Sequence, residues 1–269
     1  MAVTIRMGIR AFNSSLIRKA LLGNTMCAVL QTLSQLGRET ARIVLHASCV
    51  VCRRELPWRA RTASCCSDCW RLLPLIDGPK CDSCAQPFFG DVAAARCLDC
   101  LTDPLPVGWT EAWGHYRGAL ESVLHAFKFQ RHDWFAEPFA DALSDLVAAR
   151  DDNVFDAVVP VPMSRAKRRR RGYNQAELLA RALARRLRLR CDTSLLGKRL
   201  ERRTQSTLAK AERAANVRGA FTASERSKSR SILLVDDVCT TGETLRACAT
   251  AALRAGAARV CAVVVAKAT

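Results

Sequence analysis

Three short apolar runs punctuate the second half of the chain: Val154–Val161, Ser231–Val235 and Val260–Ala266. Each is of strand length and rich in β-branched or aliphatic residues, and Pro160 and Pro162 close the first, so the pattern predicts buried strands. Trp109–Tyr116 is aromatic and partly alternating, which suits an edge strand. Between these runs the spacing changes to that of helices. Leu120, Val123, Leu124 and Phe127, then Phe135, Phe139, Leu143 and Leu146, predict two helices before Asp151. Leu179, Leu183 and Leu187 predict a third, with Arg181, Arg185 and Arg188 on its outer face. Leu245, Cys248, Ala249, Ala252 and Leu253 predict a fourth, which Gly256 stops. Alternating strands and helices imply an α/β fold, a mostly parallel sheet with helices on both faces and ligands beyond the carboxyl ends of its strands. No apolar run approaches the roughly 18 residues of a membrane span.

The chain has 269 residues, enough for one or two domains, and its 49% apolar and 25% charged content excludes a disordered or fibrous protein. A formal net charge of +17 adds a bias toward anionic partners: phosphates, nucleic acid or an acidic surface. Residues 1–38 include Arg6, Arg10, Arg18 and Lys19 and no acidic residue. They lack the central apolar stretch and cleavage site of a secretory signal, so residues 1–45 read as a basic N-terminal extension. The same features fit an organelle transit peptide or an upstream extension. The expected location is the cytoplasm, where thiols stay reduced.

Eight of the 14 cysteines form four Cys-x-x-Cys pairs: Cys49/Cys52, Cys66/Cys69, Cys81/Cys84 and Cys97/Cys100. Two residues between cysteines let a tight turn aim both sulfurs and its own amides at one tetrahedral Zn²⁺. Four such knuckles hold two zinc ions, in a segment too short for a sufficient apolar core. The spacing leaves open whether neighbouring or alternate knuckles share a metal, with neighbours favoured. Cys65 is adjacent to Cys66, but only Cys66 has the right spacing to Cys69. Closed Cys₄ sites are structural and carry no catalysis. Cys27, Cys191, Cys239, Cys248 and Cys261 read as small buried hydrophobes. Thr102–Val107, with two prolines, reads as a linker, giving a double zinc ribbon over residues 46–103 and a second domain over 104–269.

The strongest chemical signal is Ile232-Leu-Leu-Val-Asp-Asp-Val-Cys-Thr-Thr-Gly-Glu-Thr244. Thr240–Thr244 form a small-residue loop opening a helix, where amides, hydroxyls and the helix dipole suit a phosphate monoester. Gly242 lets the backbone approach the anion closely. Asp236 and Asp237 sit where the attached sugar presents its hydroxyls, and carboxylates accept hydrogen bonds from a vicinal diol. Two other readings compete: Thr241 as a plain helix cap beside solvated aspartates, and an acidic pair holding Mg²⁺ for phosphoryl transfer.

This stretch resembles the phosphoribosyl pyrophosphate (PRPP) loop of type I phosphoribosyltransferases. The wider pattern is similar to the ComF family of competence-associated proteins, which join a zinc ribbon to such a domain. Val159-Pro-Val-Pro162 followed by Arg171-Gly-Tyr-Asn-Gln175 looks like the family's strand and pyrophosphate-side loop. Arg203-Thr-Gln205 through Phe221 looks like its mobile loop, and His125-Ala-Phe-Lys128 like its upstream basic element. Departures are Tyr173 where Phe is common, the extra Cys65 and the basic N-terminus. The resemblance implies a type I phosphoribosyltransferase fold and PRPP bound with Mg²⁺. It implies Asp236, Asp237 and Arg171 as catalytic residues. The ligand would be held by Lys128, Arg171, Arg203, Asp236, Asp237, Thr240, Thr241, Gly242, Glu243 and Thr244.

Two basic stretches remain, Lys167–Arg171 and the helix face Arg181–Arg190. A charge run is often only a solvated face, although Arg171, followed by Gly172, is placed to grip a pyrophosphate. Two functions follow. One is a phosphoribosyltransferase; the other is a catalytically inactive nucleic-acid-binding or sensor protein that uses the PRPP site for nucleotide binding only. The family's implied role, handling imported single-stranded DNA with competence-machinery proteins, fits either.

Overall fold

Ile232–Val235 and Cys261–Ala266 are completely buried. Runs apolar on both faces belong in the middle of a sheet covered from both sides. The computed structural model describes residues 48–56, 64–88, 90, 95–130, 132–198 and 219–268. The expected basic extension, residues 1–45, lies outside them. The strands are β1 (Thr110–His115), β2 (Ala157–Pro160), β3 (Arg190–Cys191), β4 (Leu196–Lys198), β5 (Phe221–Ala223), β6 (Ser231–Cys239) and β7 (Arg259–Lys267). Five of them form a parallel sheet in the order β1-β7-β6-β2-β3, while β4 and β5 pair as a separate antiparallel hairpin.

The helices are α1 (Ser67–Arg71), α2 (Leu98–Thr102), α3 (Gly118–Phe129), α4 (Ala136–Ala148), α5 (Arg165–Arg171), α6 (Gln175–Leu187) and α7 (Glu243–Arg254). On α4 the buried residues Ala136, Phe139, Ala140, Leu143 and Val147 recur at three- and four-residue spacing and meet α6 and the sheet. The core beneath α7 holds alternate residues of β6, Ile232 and Leu234, together with Leu245, Cys248 and Ala252. From β2 the chain crosses through α6 to β3; from β6 it crosses through α7 to β7. The two crossovers leave in opposite directions, which opens a crevice beyond the carboxyl ends of β2 and β6.

Three sequence expectations change. The strand expected to end at Val235 continues to Cys239, because β7 pairs with it throughout: Asp236 faces Val264 and Cys239 faces Lys267. Arg171, expected to open a loop, is the last residue of α5, a helix over the basic run that the apolar pattern did not predict. Ser164 caps its start by accepting the Lys167 N–H, and Gly172 ends it at φ 87°. The expected linker is packed: Leu105 and Val107 are buried.

The cysteine-rich segment is built onto the sheet. Leu75 bridges Gly114, and the amides of Ile76 and His115 donate to Trp113 O and Pro74 O, which covers the open edge of β1. A Cβ on Gly114 would stand 2.8 Å from Pro74 O, so this contact requires glycine. Trp70 packs its ring 5.7 Å from Trp113 and 5.8 Å from Phe139. Further along, Thr110 donates its hydroxyl to Ser83 O, and Lys80 lies 2.7 Å from the buried Glu111.

Candidate functional site

β2 ends at Pro160, paired with Val235, whereas β6 runs four residues further. Asp236 and Asp237 therefore project past their neighbour into the crevice, where a pocket of about 170 Å³ forms. Lys128, Arg171, Asp236, Asp237 and Thr244 all line it. Lys128 Nζ is 3.2 Å from Asp237 Oδ1, and both side chains are largely buried. Asp236 Oδ1 accepts the Asp237 amide at 2.8 Å. Burial first, and then the adjacent Asp237 charge, push the Asp236 carboxyl well above the usual carboxylate range, against the opposing pull of Lys128. The aspartates are thus an enclosed pair rather than a solvated strand end.

Beyond Cys239 the chain turns through Thr240 and Thr241, both exposed, to Gly242 at φ 83°, which begins α7. Among the described residues no side chain caps this N-terminus, Thr241 included, so its first amides remain available to an anion. Glu243 turns away from the pocket: it is 3.3 Å from Arg246 and lines a second cavity with Asp103. Arg203 lies outside the described residues.

The Arg171-Gly-Tyr-Asn-Gln175 motif ties three elements together. Tyr173 Oη donates to Phe127 O, and Gln175 Nε2 donates to Lys128 O at 3.1 Å, capping the end of α3. Asn174 Nδ2 donates to Val161 O at 3.1 Å, while its Oδ1 caps α6. The motif thereby fixes Lys128 against the end of β2. Arg171 is held over the Phe129 ring at 4.5 Å and donates to Gln175.

Two pocket residues carry no sequence signal of that role, Ser164 and Lys198, whereas Asn174 and Phe221 fall in the two motifs already singled out. Lys267 does leave a trace, a cation ending an apolar strand. Buried, it donates from Nζ to Thr240 O and so anchors the loop from below.

The eight paired cysteines gather into two sets, Cys49/Cys52/Cys66/Cys69 and Cys81/Cys84/Cys97/Cys100, with all ligand atoms of a set within 4.8 Å of one another. Neighbouring knuckles therefore converge. Tetrahedral zinc with Zn–S bonds near 2.3 Å implies sulfurs about 3.8 Å apart. Cys52 and Cys66 are 3.8 Å apart and Cys84 and Cys97 are 3.7 Å apart, and amides of Cys66 and Cys69 point at sulfur, so the sets fit structural zinc. Cys65 is outside the set, and burial pushes its thiol up to about 12. Cys239, Cys248 and Cys261 are buried as expected, and Cys191 is half-buried.

Residues 140–269 match the phosphoribosyl transferase domain family and residues 40–101 the double zinc ribbon domain family. The chain is 29% identical to Competence protein F of Haemophilus influenzae, covering 73% of this chain and 86% of the relative. It is 30% identical to DNA utilization protein YhgH of Escherichia coli K12 over 79% of this chain and 93% of the relative. It is 28% identical to Competence protein ComFC of Bacillus subtilis over 78% and 90%. With both parts matched and these relatives aligned along most of their length, the chain belongs to the ComF family of competence-related, phosphoribosyltransferase-like proteins.

Proposed function

We propose that the chain binds PRPP, as its Mg²⁺ complex, in the crevice beyond β2 and β6. The observation that carries this reading is the enclosed Asp236–Asp237 pair, joined to Lys128 and set before an uncapped helix N-terminus. Asp236 and Asp237 accept hydrogen bonds from the ribose hydroxyls. Thr240, Thr241, Gly242, Glu243 and Thr244 hold the 5-phosphate through amides and hydroxyls. Lys128, Arg171 and Arg203 oppose the pyrophosphate charge. Mg²⁺, a hard cation suited to carboxylate and phosphate oxygens, offsets part of that charge. As pyrophosphate leaves C1 and the nucleophilic atom of an acceptor bonds there in its place, the Asp236–Asp237 pair faces the positive charge developing on the ring, and Arg171 takes the charge of the leaving group.

Calorimetry with PRPP and Mg²⁺ tests this reading. Binding by the wild type that is lost in Asp236→Asn/Asp237→Asn supports it; no heat, or heat undiminished in the double variant, removes it. Pyrophosphate release screened against bases and amines then separates a transferase from a nucleotide-binding sensor.

A second reading rests on the relatives' names and the +17 charge: handling of single-stranded DNA in the cytoplasm alongside competence proteins. Single-strand binding that falls with salt supports it, and an absence of such binding removes it.

A further inference from the structure

Both basic stretches were candidates for an anionic partner, and their surroundings differ. On α6, Arg181 pairs with Glu177 at 2.9 Å, Arg185 with Glu137, and Arg186 with Glu137 and with Asp141 at 2.7 Å. Acidic residues of α4 and of α6 itself have already neutralised much of that face.

α5 is different. Its seven residues, Arg-Ala-Lys-Arg-Arg-Arg-Arg, hold six cations and no acid. Arg168 is 3.2 Å from Glu177, but exposed Arg165, Lys167, Arg169 and Arg170 have no carboxylate partner among the described residues. Like charges three and four apart repel along a helix, so these four cations do not stabilise the folded state. The cations are arranged for something outside the protein.

Beside them is an aromatic surface. Phe129, the last residue of α3, is 51% exposed although it is a large apolar side chain. The Arg171 guanidinium of α5 lies over its ring, 4.5 Å from the centroid, and the ring of exposed His125 approaches at 4.8 Å. A cation run flanking a solvent-facing ring with stacked guanidinium and imidazole groups is the chemistry that grips a phosphate backbone while a base stacks.

We infer that α5 and Phe129 form a binding surface for single-stranded nucleic acid, with Arg165, Arg169 and Arg170 on the phosphates and a base against Phe129. The inference rests on the DNA-handling reading; α5 also lends Lys167 and Arg171 to the pocket, but the three arginines given to the phosphates do not line it, so their loss is separable from PRPP binding.

The test is fluorescence anisotropy of a labelled oligothymidylate over a range of salt. In Arg165→Ala/Arg169→Ala/Arg170→Ala the helix should persist, since alanine favours it. Affinity should fall at least tenfold at low salt, and the log–log salt slope should shrink by about two, at about 0.7 per phosphate contact. Phe129→Leu should weaken binding by roughly tenfold with the slope unchanged, because stacking releases no counterions. Arg181→Ala/Arg185→Ala should bind as wild type does. If that variant loses as much as the α5 variant, or the α5 variant binds normally, the surface is elsewhere and only this inference falls. If wild type binds no single strand, the DNA-handling reading falls with it. Equal displacement by duplex DNA or polyglutamate would reduce the surface to a nonspecific anion site and overturn the inference. Heat with PRPP in the α5 variant reports the pocket independently.

Discussion

Leu105 of the ribbon's tail lies directly over Gly242 of the phosphate-type loop: a Cβ on that glycine would stand 3.0 Å from Leu105 Cδ1. Four residues into the same turn, Arg246 bonds Asp103 Oδ1 at 3.0 Å, Pro104 O at 2.9 Å and Asp103 O at 2.9 Å. Leu105 is held in turn by its amide on Ser83, between Cys81 and Cys84. The second cysteine set and the loop therefore share one packed core, which also contains Cys81, Cys84 and Cys100.

Gly242→Ala should be costly for two separate reasons. The φ of 83° strains any L side chain by about 1–3 kcal/mol, and the methyl group meets Leu105. Thermal melting should show the loss. Adding Leu105→Ala should relieve only the contact, so Gly242→Ala should still destabilise a Leu105→Ala background. A variant that melts with wild type would show that the loop does not adopt this turn.

Removing zinc should affect more than the ribbon. A structural zinc site contributes on the order of 10 kcal/mol to the fold that holds it. After chelation, checked by metal analysis, hydrogen exchange in residues 240–246 should accelerate as the Asp103 and Leu105 contacts loosen. Unchanged protection there, with the metal gone, would mean that the two parts are energetically independent.

Lys267→Met keeps the bulk of the side chain and removes the ammonium from Thr240 O. A hydrogen bond to a charged group contributes about 1.5–3 kcal/mol, and the carbonyl is left without this donor. Calorimetry with ribose 5-phosphate should show affinity lower by at least roughly tenfold, with the Cys₄ sites still filled. Equal affinity in both proteins would show that Lys267 does not position the loop.

The raised pKa of Asp236 has a definite sign. The folded protein holds a proton that the unfolded chain, near pKa 3.8, has released. Native protein thus binds more protons, and this group's contribution to stability falls as pH rises from about 4 toward about 8. The comparison to make is melting of wild type against Asp236→Asn across that range: the variant should gain on wild type as pH rises. A constant difference would place the Asp236 titration at its ordinary value.

Much of this protein was legible along the chain because the relevant physics is local. A Cys-x-x-Cys knuckle positions its own sulfurs, an apolar run of strand length can only be buried, and a small-residue loop opening a helix supplies its own amides. The paired cysteines, the central strands and the Asp236–Thr244 segment were therefore all visible before any contact was known. Other features depended on partners remote in sequence. The last residues of β6 look polar, and only pairing with β7 makes them strand; α5 has no apolar period, and a serine and a glycine bound it. Thr102–Val107 looks like a linker until Arg246 and Gly242 dock on it, some 140 residues later. The two arginine runs are alike in composition, and carboxylates of α4, packed across α6, together with Glu177 of α6 itself, neutralise much of one and leave most of the other without partners among the described residues. Sequence determines which groups are present and what each can do at short range; tertiary packing decides which charges meet, because Coulomb pairing and desolvation depend on distances that chain separation does not encode.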